Sequence, residues 1–491
     1  MGFSTVSLGS SLQNKVSMKI KNIVTILLVG SILVSCAPAA KVVPTETIMP
    51  TSTFTPVPAT LTITPTPAPE NIADAKDLPV WIKQFVNAYG GKVTITGVEM
   101  DVNQLTDEIR KNAETFTEVK EIESIMYSFL VVNGVPLALM GEDGKWSEIT
   151  LRELADDKKI TIGMTPSINL TESWSPDHII VSQILNSGNT LKLDYDLMWW
   201  LPPQEQQADS LRPSLLIINY NNIDKALRYS QKYNQGLVAQ TLLVQNPYFL
   251  PQWLKEITDK TQLKDVATKH IQSLVAKYPQ IDEWTVMAEF ENPYFSNIWT
   301  KTFGLSDVGW IVDVYNTAHS ANPNAKLTYS DFDIEFGGVK ADRVFGIIKN
   351  IKEAGAPIDI IAFQMHISGK DFIEPSIRSQ RMQEFAEQIK RYQDIGIQVE
   401  IGEMDIAMNG TSLDTEHNAI IQAEIYKAVM DTALDNGVNK IYFFGINDKY
   451  SWKNLPENGG GAGAIATLFG INGELKPSYY SVIQALYEHV P

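Results

Sequence analysis

The chain of 491 residues has a single cysteine, Cys36, so neither a disulfide framework nor a cysteine metal site can form within it. Histidine is scarce too: there are six, and none shows paired ligand spacing, so neither a metal nor any other cofactor is expected. Basic charge is in deficit. With 40 Lys and Arg against 57 Asp and Glu, the formal net charge is -17, which argues against nucleic acid or an anionic membrane surface as a partner and suits a neutral polymer. Nucleotide-binding glycine motifs are missing as well. No Gly-x-Gly-x-x-Gly follows a strand and no phosphate-binding Gly-Lys-Ser/Thr occurs, so nucleotide and dinucleotide chemistry have no support.

The apolar run from Ile23 to Val34 is too short to span a bilayer comfortably. It follows Lys15, Lys19 and Lys21 and ends Leu33-Val34-Ser35-Cys36, the order of a secretory signal. Ending on cysteine, it resembles the bacterial lipoprotein signal. That resemblance implies a signal peptide over 1–36, lipidation at Cys36, and an exported protein anchored by lipid to the cell membrane or surface. A plain cleaved signal and an uncleaved anchor are the alternatives. Residues 37–72 are dominated by Pro and Thr, as in Thr64-Pro-Thr-Pro-Ala-Pro69, and read as an extended linker with no core of its own.

From 73 to 158 the pattern is that of a small α+β appendage. Leu78 to Tyr89 has helical spacing of Trp81, Phe85 and Tyr89, stopped by Gly90-Gly91. A strand is expected at Lys92 to Val98, a helix at Asn103 to Thr117, a hairpin around Asn133-Gly134 and a strand from Gly144 to Leu151. No catalytic motif stands out there.

After Lys159, apolar strands alternate with amphipathic helices. The clearest strands are Ile160 to Met164, Gly236 to Val244, Glu283 to Ala288, Lys326 to Tyr329, Ile358 to Phe363, Gln398 to Ile401 and Asn439 to Phe444. Helices are expected at Val308 to His319 and Arg378 to Gln393. About 330 residues in this alternation fit a single (β/α)8 TIM barrel over 159–491 better than two open sheets.

Two of these strands run into acids. Gln398-Val-Glu-Ile-Gly-Glu-Met-Asp405 has the β-branched character of a buried parallel strand and carries Glu403 and Asp405 on one face. Trp284-Thr-Val-Met-Ala-Glu289 ends likewise. A glycosidase needs one carboxyl to protonate the leaving oxygen and another to attack or to activate water, and parallel barrels keep their chemistry at the C-terminal ends of strands. The plainer alternative is a pair of solvent-facing strand-end acids. Other strand ends are polar too: Gln240 and Gln245, Asp331, Gln364 and His366. Trp199, Tyr450 and Trp452 add aromatic surface suited to packing against sugar rings or against the barrel itself.

Together these residues resemble glycoside hydrolase family 10, the β-1,4-xylanase family. The likeness runs in order through Trp284–Glu289, Asn322-Pro-Asn-Ala-Lys-Leu-Thr-Tyr-Ser-Asp331, the Gln-Met-His of Gln364–His366, Gly402-Glu-Met-Asp-Ile406 and Phe444-Gly-Ile-Asn-Asp-Lys-Tyr-Ser-Trp452. It implies a retaining hydrolase of xylan or a related β-linked polysaccharide, expected to act as a monomer without nucleic acid. Glu403 would be the nucleophile and Glu289 the acid/base, supported by His366, Asp405 and Gln364. Trp199, Gln240, Gln245, Trp452, Tyr450 and Asp331 would line the substrate cleft. The family's asparagine before the acid/base is Ala288 here, its strand histidines are Gln240 and Gln245, and its sugar-gripping lysine is Trp199. Because that shell is rewritten, a surface-anchored carbohydrate-binding protein on a weakened scaffold, or a hydrolase of a different β-linked glycan, are the competing expectations.

Overall fold

The computed structural model describes residues 71–122, 125–141, 143–165, 179–194, 221–244, 246–247, 250–290, 298–304, 308–454 and 465–489. Its first helix, Leu78–Ala88, buries Trp81, Ile82, Phe85 and Val86. Next comes an antiparallel hairpin of β1 (Val93–Ile95) and β2 (Val98–Met100). The single strand expected over Lys92 to Val98 is split because Thr96 and Gly97 adopt left-handed φ values of 47° and 83° and turn the chain. Helix Val102–Lys111 starts with a reciprocal cap between Asp101 and Gln104. It ends before the expected Thr117, which instead opens a strand.

A four-stranded antiparallel sheet follows in sequence order: β3 (Thr117–Ile122), β4 (Ile125–Val132), β5 (Val135–Met140) and β6 (Trp146–Glu148). Asn133 and Gly134, with φ 52° and 78°, make the expected turn between β4 and β5. β6 is shorter than expected because Thr150 caps a helix, Leu151–Asp157, that leads into the barrel.

Strands covered on both faces need near-continuous apolar residues, and eight such segments close into a parallel barrel. They are β7 (Thr161–Thr165), β8 (Thr190–Leu193), β9 (Gly236–Leu243), β10 (Glu283–Ala288), β11 (Lys326–Asp331), β12 (Ile360–Phe363) and, past the short β13 (His366–Ser368), β14 (Gln398–Ala407) and β15 (Lys440–Phe444). The ring closes where β15 pairs with β7, from Lys440 opposite Thr161 to Phe444 opposite Thr165. Seven of these strands match the sequence expectation to within a few residues. β8 was not expected, because its four residues include Lys192.

Lys192 is fully buried inside the barrel. Its ammonium donates to Gly402 O at 3.0 Å, lies 3.7 Å from Glu400 and sits over the Tyr442 ring. Glu283 joins this group, accepting from Thr328 and pairing with Lys440. Burial, then the negative charge of Glu283, pushes the Glu400 carboxyl well above its usual range, against the pull of Lys192. Charge in such a place persists only when paired.

The last helix, Pro477–Glu488, is buried on nearly every side, as an all-round apolar helix must be. The barrel covers one face and the N-terminal elements cover the other. Phe85 meets Tyr480 edge-on, Phe129 meets Tyr487, and Lys120 donates to Tyr487 O at 2.9 Å while the Tyr487 hydroxyl donates to Glu118. Among the described residues no helix is long and apolar enough to cross a membrane.

Lys192→Met removes the buried cation and leaves Glu400 and Glu283 facing each other. It should destabilise the fold by about 3–5 kcal/mol near pH 8, and adding Glu400→Leu should recover most of that. Urea midpoints of the single and double variants check both expectations.

Candidate active site

The C-terminal end of the barrel gathers the acids. On β14, Ile401 pairs with Ile441 and Met404 with Phe443, so β14 carries one residue more than β15 across this step. Such a shift re-aims a side chain, and here it falls at Gly402-Glu403. Gly402 suits the place, since a Cβ there would come to 3.1 Å from Ala362 Cβ and 3.4 Å from Lys192 Nζ. Glu403 is 7% exposed. Its backbone N–H donates to Gln364 O at 3.1 Å.

Glu289 leaves the end of β10 with φ 54°, a left-handed value that a residue with a Cβ seldom adopts. Its N–H donates to Ser330 O, and its Oε1 accepts from Gln364 Nε2 at 3.1 Å. Gln364 therefore touches both acids, Glu289 through its amide and Glu403 through its carbonyl. The next residue, Met365, is also left-handed at φ 62°, and buried Glu335 holds its N–H at 2.7 Å. This reversal turns Gln364 toward one acid and His366 toward the other.

His366 starts β13 and stands opposite Asp405 in the β13–β14 pairing. Its Nδ1 forms an ion pair with Asp405 Oδ2 at 3.1 Å, and its Nε2 lies 3.3 Å from Glu403 Oε2. Burial opposes charge on the ring, yet Asp405 and Glu403 outweigh it and hold the imidazolium up to about 10. Trp452 packs edge-on against His366, with ring centres 4.8 Å apart, and its indole N–H donates to Asp405.

Two residues expected to meet substrate do something else. Asp331 is 0% exposed: Lys340 pairs with it at 2.7 Å and the Tyr329 hydroxyl donates to it, so no face is left for a sugar. Burial raises its carboxyl to about 7 against the pull of Lys340 and Tyr329, and the negative charge of Glu289 adds to the rise. Gln240 is 2% exposed, and its Nε2 donates to Glu403 Oε1 and to Asp194 Oδ1, each at 3.1 Å. It serves the acids rather than an open cleft.

Tyr450 and Trp452 lie in short 3-10 turns after β15, and Tyr450 is 38% exposed. Trp199, Gln245 and Cys36 lie outside the described residues. Asp194, Glu335 and Tyr329 were not expected at the site. Asp194 was findable, because it follows a buried strand just as Glu289 does; Glu335 and Tyr329 carry no comparable signal.

Glu403 is thus gripped at both oxygens, by Gln240 and by His366, while Glu289 meets Gln364 from a separate strand.

A family model described as Glycosyl hydrolase family 10 matches residues 182–485. Endo-1,4-beta-xylanase B of Thermotoga neapolitana is 29% identical over 350 residues, covering 70% of this chain and 92% of that protein. Endo-1,4-beta-xylanase 1 of Humicola insolens is 27% identical over 293 residues, 58% of this chain and 64% of that protein. Among solved structures, native xylanase 10B from Thermotoga maritima aligns with a TM-score of 0.60 at 28% identity, covering 70% of this chain and 99% of its own. Xylanase 10B from Thermotoga petrophila RKU-1 in complex with xylobiose aligns with a TM-score of 0.58 at the same identity and coverage.

The bracketed imidazolium sets a pH dependence. Its folded value, about 10, lies above the ordinary 6.5, so the stabilisation is complete below 6.5 and is lost as pH rises toward about 10. Within that window wild-type stability should fall with a slope of up to about 1.4 kcal/mol per pH unit that His366→Gln lacks. Paired urea titrations at several pH values measure the difference.

Proposed function

The chain belongs to glycosyl hydrolase family 10, and on that premise we propose that it cleaves β-1,4-linked xylan, or a closely related cell-wall polysaccharide, by double displacement. The observation that carries the reading is the convergence of two carboxyls from separate barrel strands, Glu403 and Glu289, beside Gln364 and His366. Glu403 receives Gln240 on Oε1 and the His366 imidazolium on Oε2, which together fix its plane. Glu289 meets Gln364 through one oxygen.

In the proposed sequence, Glu403 attacks the anomeric carbon while Glu289 gives its proton to the departing glycosidic oxygen. The C–O bond to the leaving sugar breaks as the ester to Glu403 forms. Glu289, now a base, takes a proton from water, the hydroxide displaces Glu403, and the sugar leaves with its original anomeric configuration. The relatives named above are xylanases, and one is held in complex with xylobiose, which supports xylan as the substrate class. Ala288, which offers no amide to a sugar hydroxyl, keeps a different β-linked chain in view.

Glu403→Ala should lose nearly all turnover of xylan while keeping its fold, and azide should rescue it with inverted glycosyl azide as product. Glu289→Ala should lose roughly 10²–10⁴-fold on xylan but far less on aryl glycosides with acidic phenols, and azide should give the retained product. Equal losses on both substrates would remove Glu289 from the acid role. Rates on linear xylan, arabinoxylan, glucuronoxylan and mixed-linkage glucan decide the chain preferred.

We further propose that Cys36 carries the lipid that anchors the protein, supported by its place behind a basic and then an apolar segment. Cys36→Ser should move the enzyme from the membrane fraction to the medium or stall its processing. Fatty-acid label in both forms alike would contradict this.

A further inference from the structure

Both oxygens of Glu403 are addressed by arms of one design. On the Oε2 side the donor is His366, backed by Asp405 at 3.1 Å. On the Oε1 side the donor is Gln240, backed by Asp194 at 3.1 Å. We propose that Asp194 is a positioning residue for the nucleophile, acting through the Gln240 amide. The proposal rests on the reading of Glu403 as the nucleophile.

The placement follows from the barrel. Leu193 at the end of β8 is in register with Ala239 of β9, so the next residue on each chain, Asp194 and Gln240, stand side by side. The amide orientation follows from chemistry. Ionised carboxylates only accept, so the group between Asp194 and Glu403 must be the NH2, with one hydrogen for each. Two acceptors about 120° apart on one nitrogen place the carboxylate oxygens about 5 Å from each other. Among the described residues, Gln240 Oε1 is buried and finds no partner. Asp194 is therefore the group that holds the amide plane while its second N–H meets Glu403.

The two arms differ in one respect that matters. An imidazole can lose its proton, whereas an amide is a donor at every working pH. The Asp194–Gln240 arm thus keeps Oε1 fixed under conditions in which the His366 arm would let go. Removal of the anchor lets the amide swing about its terminal torsion and blurs the alignment that displacement requires.

The test uses the full-length protein and a 2,4-dinitrophenyl 2-deoxy-2-fluoro-β-xylobioside, which forms the glycosyl ester but hydrolyses it slowly. Mass spectrometry of peptides locates the ester and stopped-flow release of dinitrophenol gives the trapping rate. The expected result is label on Glu403, with trapping slowed roughly 10- to 100-fold by Asp194→Ala. Asp194→Asn should stay within about threefold of wild type, because its Oδ1 still accepts from the amide. In a Gln240→Ala background, Asp194→Ala should add nothing, since the link it acts through is gone. Asp194→Ser, too short to reach the amide, is a second truncation with a different folding risk. Label on Glu403 with trapping unchanged in the truncations, or losses that multiply in the double variant, would overturn the arm. Label on another residue would instead overturn the nucleophile assignment, and the arm with it.

Discussion

An imidazolium pinned between two buried carboxylates organises this active site. Left alone in the barrel mouth, His366 would shed its proton, because burial penalises the charged ring. Asp405 and Glu403 reverse that balance only because each reaches a different ring nitrogen. Several unusual backbone features serve that contact. β13 pairs with β14 so that His366 faces Asp405, Met365 takes a left-handed turn, and β14 gains a residue at Glu403. Left-handed residues with a Cβ cost stability and persist where the surroundings insist on them. Here Glu335 insists, from full burial, by holding the Met365 N–H.

The acids on the two sides of the cleft are supported by different kinds of group. Around Glu403 the support comes from side-chain donors on two strands, Gln240 of β9 and His366 of β13. Glu289 accepts from the Gln364 amide. Asp331, raised to about 7, meets Lys340 and Tyr329 but responds to Glu289, so the two carboxyls share a field though they share no proton.

Much of this was legible in the chain because a simple rule governs it: a polar residue at the C-terminal end of a buried parallel strand points into the barrel mouth. Glu289, Glu403, His366 and Gln364 follow that rule and were found by it. The rule is blind to depth, however. Asp331 satisfies it and yet is enclosed by Lys340 and Tyr329, while Gln240, inside β9 rather than at its end, is enclosed by two carboxylates. Asp194 obeyed the rule and was missed because its strand was. Four residues with a lysine in their midst do not read as a buried strand unless Glu400 and the Gly402 carbonyl are known to await that lysine. In the N-terminal region the helices and the Asn133-Gly134 turn were legible, but residues 92–100 were not, since a Thr-Gly turn within an apolar run looks like uninterrupted strand.

The closing helix bears on what counts as one protein here. The family model matches from residue 182, inside the barrel, while the first barrel strand begins at Thr161 and the outer face of Pro477–Glu488 is roofed by residues as early as Phe85. The stretch that the family model spans is shorter than the stretch that packs together. Tyr480 and Tyr487 are aromatic and buried where they meet that roof, so this face of the helix is apolar for as long as the N-terminal segment covers it. A relative without that segment would need a polar face on the same helix. Moving this barrel between proteins as a module would therefore have to carry the roof with it.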